Sequence, residues 1–255
     1  MYKASELDGC TIGATDGDIG NVRDLYFDDQ NWAVRYLVVD TGGWLSGRTV
    51  LISPISVHAV QATQRRVAVN LTRKQVEDSP DIDTDKPVSR QYEQSYFAYY
   101  GYPPYWSGPS LWGAAAYPTA PVPAAIDAPR EAVIRMQQEQ AAADSHLRSS
   151  AEVSGYTIQA TDDGIGHVED FLVDDRDWAI RYIVVDTRNW WPGKKVLISP
   201  LWIDRFSWAE KKLYVTVTRD AVKSSPEYDP AMAPSRKYED ALYRHYGRND
   251  VYWLP

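Results

Sequence analysis

Cysteine is nearly absent from this chain: Cys10 stands alone among 255 residues. No intramolecular disulfide and no cysteine-built metal cluster can therefore form, and the usage points to a reducing compartment. Histidine is scarce too, with His58, His146, His167 and His245. Positive charge is in deficit. The formal net charge is −8, which repels phosphate backbones and disfavours nucleic acid as a broad electrostatic partner. Long hydrophobic runs are missing; the apolar stretches fall well short of the roughly 20 residues that span a bilayer. Met1–Leu7 is polar from its third residue and does not read as a leader. A soluble, cytoplasmic protein without direct membrane insertion is the expectation.

What the chain does have is aromatic surface chemistry. It carries 10 Trp and 18 Tyr against 4 Phe. Trp and Tyr join an apolar body to a polar tip and suit half-buried or partner-facing positions.

It also repeats itself. Ala14-Thr15-Asp16, Ile19-Gly20 and Val22 return as Ala160-Thr161-Asp162, Ile165-Gly166 and Val168. Trp32-Ala33-Val34-Arg35-Tyr36-Leu37-Val38-Val39-Asp40-Thr41 returns as Trp178-Ala179-Ile180-Arg181-Tyr182-Ile183-Val184-Val185-Asp186-Thr187. Val50-Leu51-Ile52-Ser53-Pro54 returns as Val196-Leu197-Ile198-Ser199-Pro200, and Ser89-Arg90 with Tyr92-Glu93 returns as Ser235-Arg236 with Tyr238-Glu239. The offset is constant from about residue 5 to about residue 101, at roughly 40% identity, which marks a tandem duplication.

Each copy reads as mainly β. Strands are expected over Gly20–Phe27, Trp32–Val39, Thr49–Val57 and Arg66–Leu71, with others near Ser5–Thr15 closing the sheet. Asp28-Asp29-Gln30-Asn31 suits a hairpin turn, because Asp and Asn side chains bond nearby backbone. Thr41–Gly47 reads as a glycine-rich loop. Pro54 inside a strand pattern implies an edge or a bulge. Helices are expected over Thr72–Asp78 and Ser89–Tyr100, the second closed by Gly101. Trp32–Val39 is apolar on both faces, so a helix or another domain must cover the outer one.

The layout is a first domain over 1–101, a Pro/Tyr/Ala-rich linker and helix over 102–148, and a second domain over 149–255. Pro and Ala favour extended geometry in Tyr102–Arg130. Its aromatics Tyr102, Tyr105, Trp106, Trp112 and Tyr117 imply that it lies against a barrel. Glu131–Arg148 reads as a spacer helix or one that packs on a second chain.

The Ile-Gly-x-Val-x-Asp run, the Trp-Ala-Val-Arg-Tyr-Leu-Val-Val-Asp-Thr strand, the Gly-Trp loop and Val-Leu-Ile-Ser-Pro together resemble the PRC-barrel domain. That family takes in the cytoplasmic domain of the reaction-centre H subunit and the C-terminal domain of a small-subunit ribosome maturation factor. The resemblance covers both repeats and not 102–148. It implies two small β-barrels, each with a helical tail, used as docking surfaces. It brings no catalytic residues. The membrane anchor of the first protein and the separate N-terminal barrel of the second are not seen.

No HExxH, GxSxG or GxxxxGK pattern is present, and no histidine recurs at its repeat-equivalent position, so no catalytic residue, cofactor or metal is assigned. The acidic groups Asp16/Asp18, Asp28/Asp29, Asp162/Asp163 and Asp174/Asp175/Asp177 lack calcium-loop spacing and read as turns. Arg35 with Asp40, and Arg181 with Asp186, are expected as a structural or ligand ion pair. Trp44 matches Trp190, with Trp191 beside it, and each is either a plug on its own barrel or a contact anchor. Trp202, Phe206 and Trp208 stand where the first copy has Ser56, Val60 and Ala62, and are expected to form an aromatic interface ridge.

The functional expectation is a non-enzymatic protein-binding scaffold or adaptor of unassigned partner, with homo-oligomerisation as one form. Two alternatives stand beside it: a ribosome- or RNA-linked accessory factor, and a membrane-side accessory subunit of an electron-transfer complex.

Overall fold

The computed structural model describes residues 1–82, 88–119, 146–187 and 194–248. The chain forms two compact units. One holds Glu6–Ser149 with Arg176–Trp178; the other holds Met1–Ser5, Ser150–Asp175 and Ala179–Pro255. The units follow the two repeats, except that short segments of each repeat belong to the other's unit.

The chain opens on a two-residue strand, β1 (Tyr2–Lys3), which belongs to the second-repeat unit. A short helix over Ala4–Leu7 follows, where a strand is expected from the sequence. The first-repeat unit is then built from β2 (Thr11–Ala14), β3 (Gly17–Asp28), β4 (Ala33–Asp40), β5 (Thr49–Ile52), β6 (Val57–Gln61), β7 (Arg66–Val69) and β8 (Leu147–Ser149). Its sheet runs β5-β4-β3-β2-β7-β6, with β8 added to β3. Only β2 and β7 pair in parallel among these ladders.

The outer strands of that order, β5 and β6, are consecutive in the chain. Only Ser53 and a 3-10 turn over Pro54–Ser56 separate them, so the sheet must curl back on itself. The ladder path stays open and the result is barrel-like. Pro54 explains the break in the expected strand over Thr49–Val57. It occupies the first turn position, where a missing N–H costs nothing, and the Ser53 hydroxyl accepts from the Ile55 N–H at 3.3 Å.

The expected β3–β4 hairpin forms. The Asp28 carboxylate accepts from the backbone N–H of Gln30 and the side-chain amide of Asn31, each at 2.9 Å. Every residue from Ala33 to Val39 is buried, so both faces of β4 are covered. The helix over Arg90–Tyr100 supplies part of that cover: Tyr36 meets Tyr96 edge-on at 5.2 Å and Phe97 at 6.4 Å. Ser89 caps its start and Gly101, at φ 68°, closes its end as the sequence implies. Gly20 answers a different need. A Cβ there would lie 2.0 Å from the Asp40 carbonyl oxygen, and at Gly166 the same atom would lie 2.1 Å from that of Asp186.

Beyond Gly101 the structure describes residues as far as 119, and within them most of the aromatics pack. Trp106 meets Phe97 at 5.2 Å, and Tyr105 and Trp112 are buried. Tyr117 is 45% exposed. Most of the expected linker helix, 131–145, lies outside the described residues. Its last two positions, Leu147 and Arg148, are strand rather than helix, because they pair with β3 at Asp28 and Phe27.

The second-repeat unit repeats the plan with β9 (Thr157–Gln159), β10 (Gly164–Val173), β11 (Ile180–Asp186), β12 (Lys195–Ile198), β13 (Ile203–Ser207) and β14 (Lys212–Val215). The order is β12-β11-β10-β9-β14-β13, and β1 is the added strand on β10. Helices over Arg219–Ser224 and Arg236–His245 match those over Arg73–Glu77 and Arg90–Tyr100. No helix among the described residues is long and apolar enough to cross a membrane.

Candidate functional site

The densest chemistry in the first-repeat unit is a buried cluster around Glu93. The carboxylate sits on the first turn of the Arg90–Tyr100 helix, facing β4. Its Oε1 accepts from the hydroxyls of Tyr36 at 3.0 Å and Tyr105 at 2.8 Å. The Arg90 guanidinium lies 2.9 Å from Oε2, although not along a hydrogen-bond direction. Burial raises the Glu93 pKa to about 7 against the opposing pull of Arg90 and the two phenols. Arg35 adjoins them. Its guanidinium stacks 3.9 Å over Tyr105 and 4.8 Å from Trp112, donates to the Leu111 carbonyl at 2.7 Å and pairs with Asp28 at 3.0 Å. Burial alone would raise the Asp28 pKa, but Arg35, Asn31 and the Gln30 N–H together hold it below the ordinary value.

The expected Arg35–Asp40 pair is therefore replaced by Arg35–Asp28, while Asp40 pairs with the exposed Arg23 at 3.0 Å. The reason is strand geometry: residues five apart on a strand point to opposite faces. In the second-repeat unit Arg181 meets Asp174 at 3.1 Å, and the buried Asp186 lies 3.8 Å from His167. Glu239 accepts from Tyr182 at 3.0 Å, and burial raises its pKa to about 7 as well. The Tyr–Glu and Arg–Asp contacts thus recur in both units. Asp28, Arg35, Glu93, Asp174 and Glu239 are each buried against a partner, as burial of a charged group requires.

The aromatic candidates separate. The Trp44 indole N–H donates to the Ile19 carbonyl and Arg73 stacks 4.3 Å over the ring. Trp190 and Trp191 lie outside the described residues. Trp202 is not a ridge residue. It is 2% exposed and packs on Tyr243 at 5.5 Å and Tyr246 at 4.5 Å. In the first copy its place is held by Ser56, and Tyr102 stacks on Tyr100 at 5.3 Å; the positions matching Ser56 and Tyr102 are Trp202 and Arg248. One bulky ring therefore fills the same corner from a different element in each copy. Phe206 and Trp208 remain half-buried and stack face to face at 4.7 Å, with Tyr156 edge-on to Trp208 at 6.1 Å.

Of the acidic groups expected as turns, Asp16 and Asp162 accept at helix starts, whereas Asp18, Asp29 and Asp174 pair with arginines. Asp16 accepts from the Arg73 N–H at 2.7 Å and Asp162 from that of Arg219 at 2.8 Å. Asp18 pairs with Arg66 at 2.6 Å and Asp29 with Arg148 at 2.7 Å. Among the described residues no three His, Cys, Asp or Glu side chains are grouped as metal ligands.

The feature with binding character is the added strand on each sheet. On β10, Tyr2 pairs with Val173 and Lys3 with Leu172. On β3, Arg148 pairs with Phe27, Ser149 with Tyr26 and Leu147 with Asp28. Each strand is anchored by a serine on a matching aspartate. The Ser5 hydroxyl and backbone N–H both donate to Asp170, and the Ser149 hydroxyl donates to Asp24 at 2.5 Å. These strands carry no signal of their own in the sequence. They lie at or beyond the edge of the repeat match, and one sits at the end of a helix-like run. The partners Asp28 and Glu93 were open to detection, since both recur as Asp174 and Glu239.

The PRC-barrel domain matches residues 1–76 and 147–222, so both matched stretches include the added strands. An uncharacterized protein of Deinococcus radiodurans is 32% identical over 84 residues, which is 32% of this chain and 30% of that protein. The chain thus spans less than a third of that relative's length.

Proposed function

Since the chain belongs to the PRC-barrel family in both of its halves, we propose that it is a non-enzymatic protein-binding scaffold or adaptor. The observation that carries this reading is the added strand. Two equivalent sheets each receive an extended segment in the same register, and strand addition is a general mode of peptide recognition. Main-chain bonds supply affinity and alternate side chains supply selectivity. Two such sheets on one chain raise the effective concentration for a partner that engages both. Further support comes from Asp28 and Glu93, which would be natural acid–base groups but are held by Arg35, Tyr36 and Tyr105 inside the packing.

The test is a pull-down with the tagged full chain from native lysate, with and without nuclease and at high salt. A protein partner retained under every condition is expected. Recovery of ribosomal proteins that vanish with nuclease would overturn the scaffold in favour of an RNA-linked role, because phosphate contacts weaken steeply with salt.

A further inference from the structure

The two added strands are reciprocal. Tyr2 and Arg148 occupy equivalent positions in the duplication, as do Val173 and Phe27. The pairs Tyr2↔Val173 and Phe27↔Arg148 are therefore one interaction made twice. In neither case does the strand come from the repeat whose sheet it completes. The chain leaves one unit for the other between Ser5 and Glu6, and again between Ser149 and Ser150. Each sheet thus accepts its last strand from outside its own repeat.

We propose that the Met1–Ser5 arm also exchanges between molecules, so that the Asp170–Val173 edge of β10 is a self-association surface and its occupant is a second copy of this chain. The inference rests on the protein-binding reading and names a partner for it. An arm from another chain makes the same bonds as the resident one: the Tyr2↔Val173 and Lys3↔Leu172 ladder and the two donations from Ser5 to Asp170. Closed and exchanged forms then differ in tether and concentration rather than in contacts, which is the general condition for swapping an element between identical chains. The pairing with β10 is only two residues long, so little has to be broken to free it. The edge it leaves is a row of unpaired backbone groups that favours capture of another strand.

The experiment uses full-length protein. Light scattering across a concentration series is expected to give a dimer fraction that grows with concentration and is lost when residues 1–5 are deleted. In parallel, chains carrying Tyr2→Cys are mixed with chains carrying Val173→Cys at high concentration and then oxidised. A disulfide joining the two substituted positions across two chains, read by peptide mass spectrometry, is expected. The doubly substituted chain, Y2C/V173C, supplies the intramolecular reference. A protein that is monomeric at every concentration, or a dimer that persists without residues 1–5, overturns the exchange. If the pull-down still retains a different protein, the scaffold reading survives that failure; if only self-dimers are found, the exchange stands and the adaptor role falls.

Discussion

The phenol of Tyr36 donates to the buried carboxyl of Glu93 across 3.0 Å, and the equivalent pair, Tyr182 and Glu239, keeps the same 3.0 Å. The contact joins the central strand of each unit to its terminal helix. It makes that helix part of the unit's core rather than an appendage.

Stability should therefore depend on pH in a defined direction. Burial raises both carboxyls from an ordinary 4.5 to about 7. Between those values the folded chain binds more protons than the unfolded chain, so stability falls as pH rises through that window. The stabilisation is fully present below about pH 4.5 and lost above about pH 7. For Glu93 the loss is of the order of 3 kcal/mol. Urea unfolding at pH 5 and pH 7.5 is expected to show this fall, and the double variant Glu93→Gln, Glu239→Gln to flatten it. An unchanged slope in that variant assigns the titration to other groups.

Arg35 should matter far more than Arg23. Removing Arg35 as Arg35→Met leaves Asp28 buried without its charge partner, at a cost of about 3–5 kcal/mol. Arg23→Ala breaks an exposed pair with Asp40, and such pairs contribute less than about 1 kcal/mol. Denaturant midpoints of the two variants check the ranking.

Trp202 and Trp208 should part company in the same assay. Trp202→Ala empties a core position, with an expected loss of about 3–5 kcal/mol. Trp208→Ser removes one half-buried ring from the stack on Phe206, and should cost no more than about 1.5 kcal/mol beyond its buried area. Near-equal losses would contradict the burial seen for Trp202.

Gly20→Ala and Gly166→Ala should each destabilise their unit by at least about 1–3 kcal/mol, the usual cost of overpacking. The added methyl meets a backbone oxygen in both cases, and neither oxygen can swing away as a side chain would. Gly43→Ala is the control, since nothing lies within 4 Å of a Cβ there.

The duplication, the β3–β4 turn and the end of the Arg90–Tyr100 helix were legible in the sequence because each is written locally: Asp28 and Asn31 at the turn, Gly101 at the helix end. Pro54 was legible as an interruption but not as the 3-10 turn that sets β5 and β6 apart. The partner of Arg35 was not legible from its nearest acid in the strand. Asp28 lies across the hairpin, and spacing along one strand says nothing about the neighbouring one. Trp202 misled for a similar reason. A Ser-to-Trp difference between copies reads as new surface, whereas the corner it fills is emptied by the change from Tyr102 to Arg248. The added strands were the least legible. Two or three residues carry no periodicity, and only the pairing with β3 and β10 defines them.

The reciprocal strands also bear on how the gene could change. A recombination event that dropped either copy would remove a structural piece of the survivor along with it. By this structure each half, if kept alone, would present a sheet short of one strand.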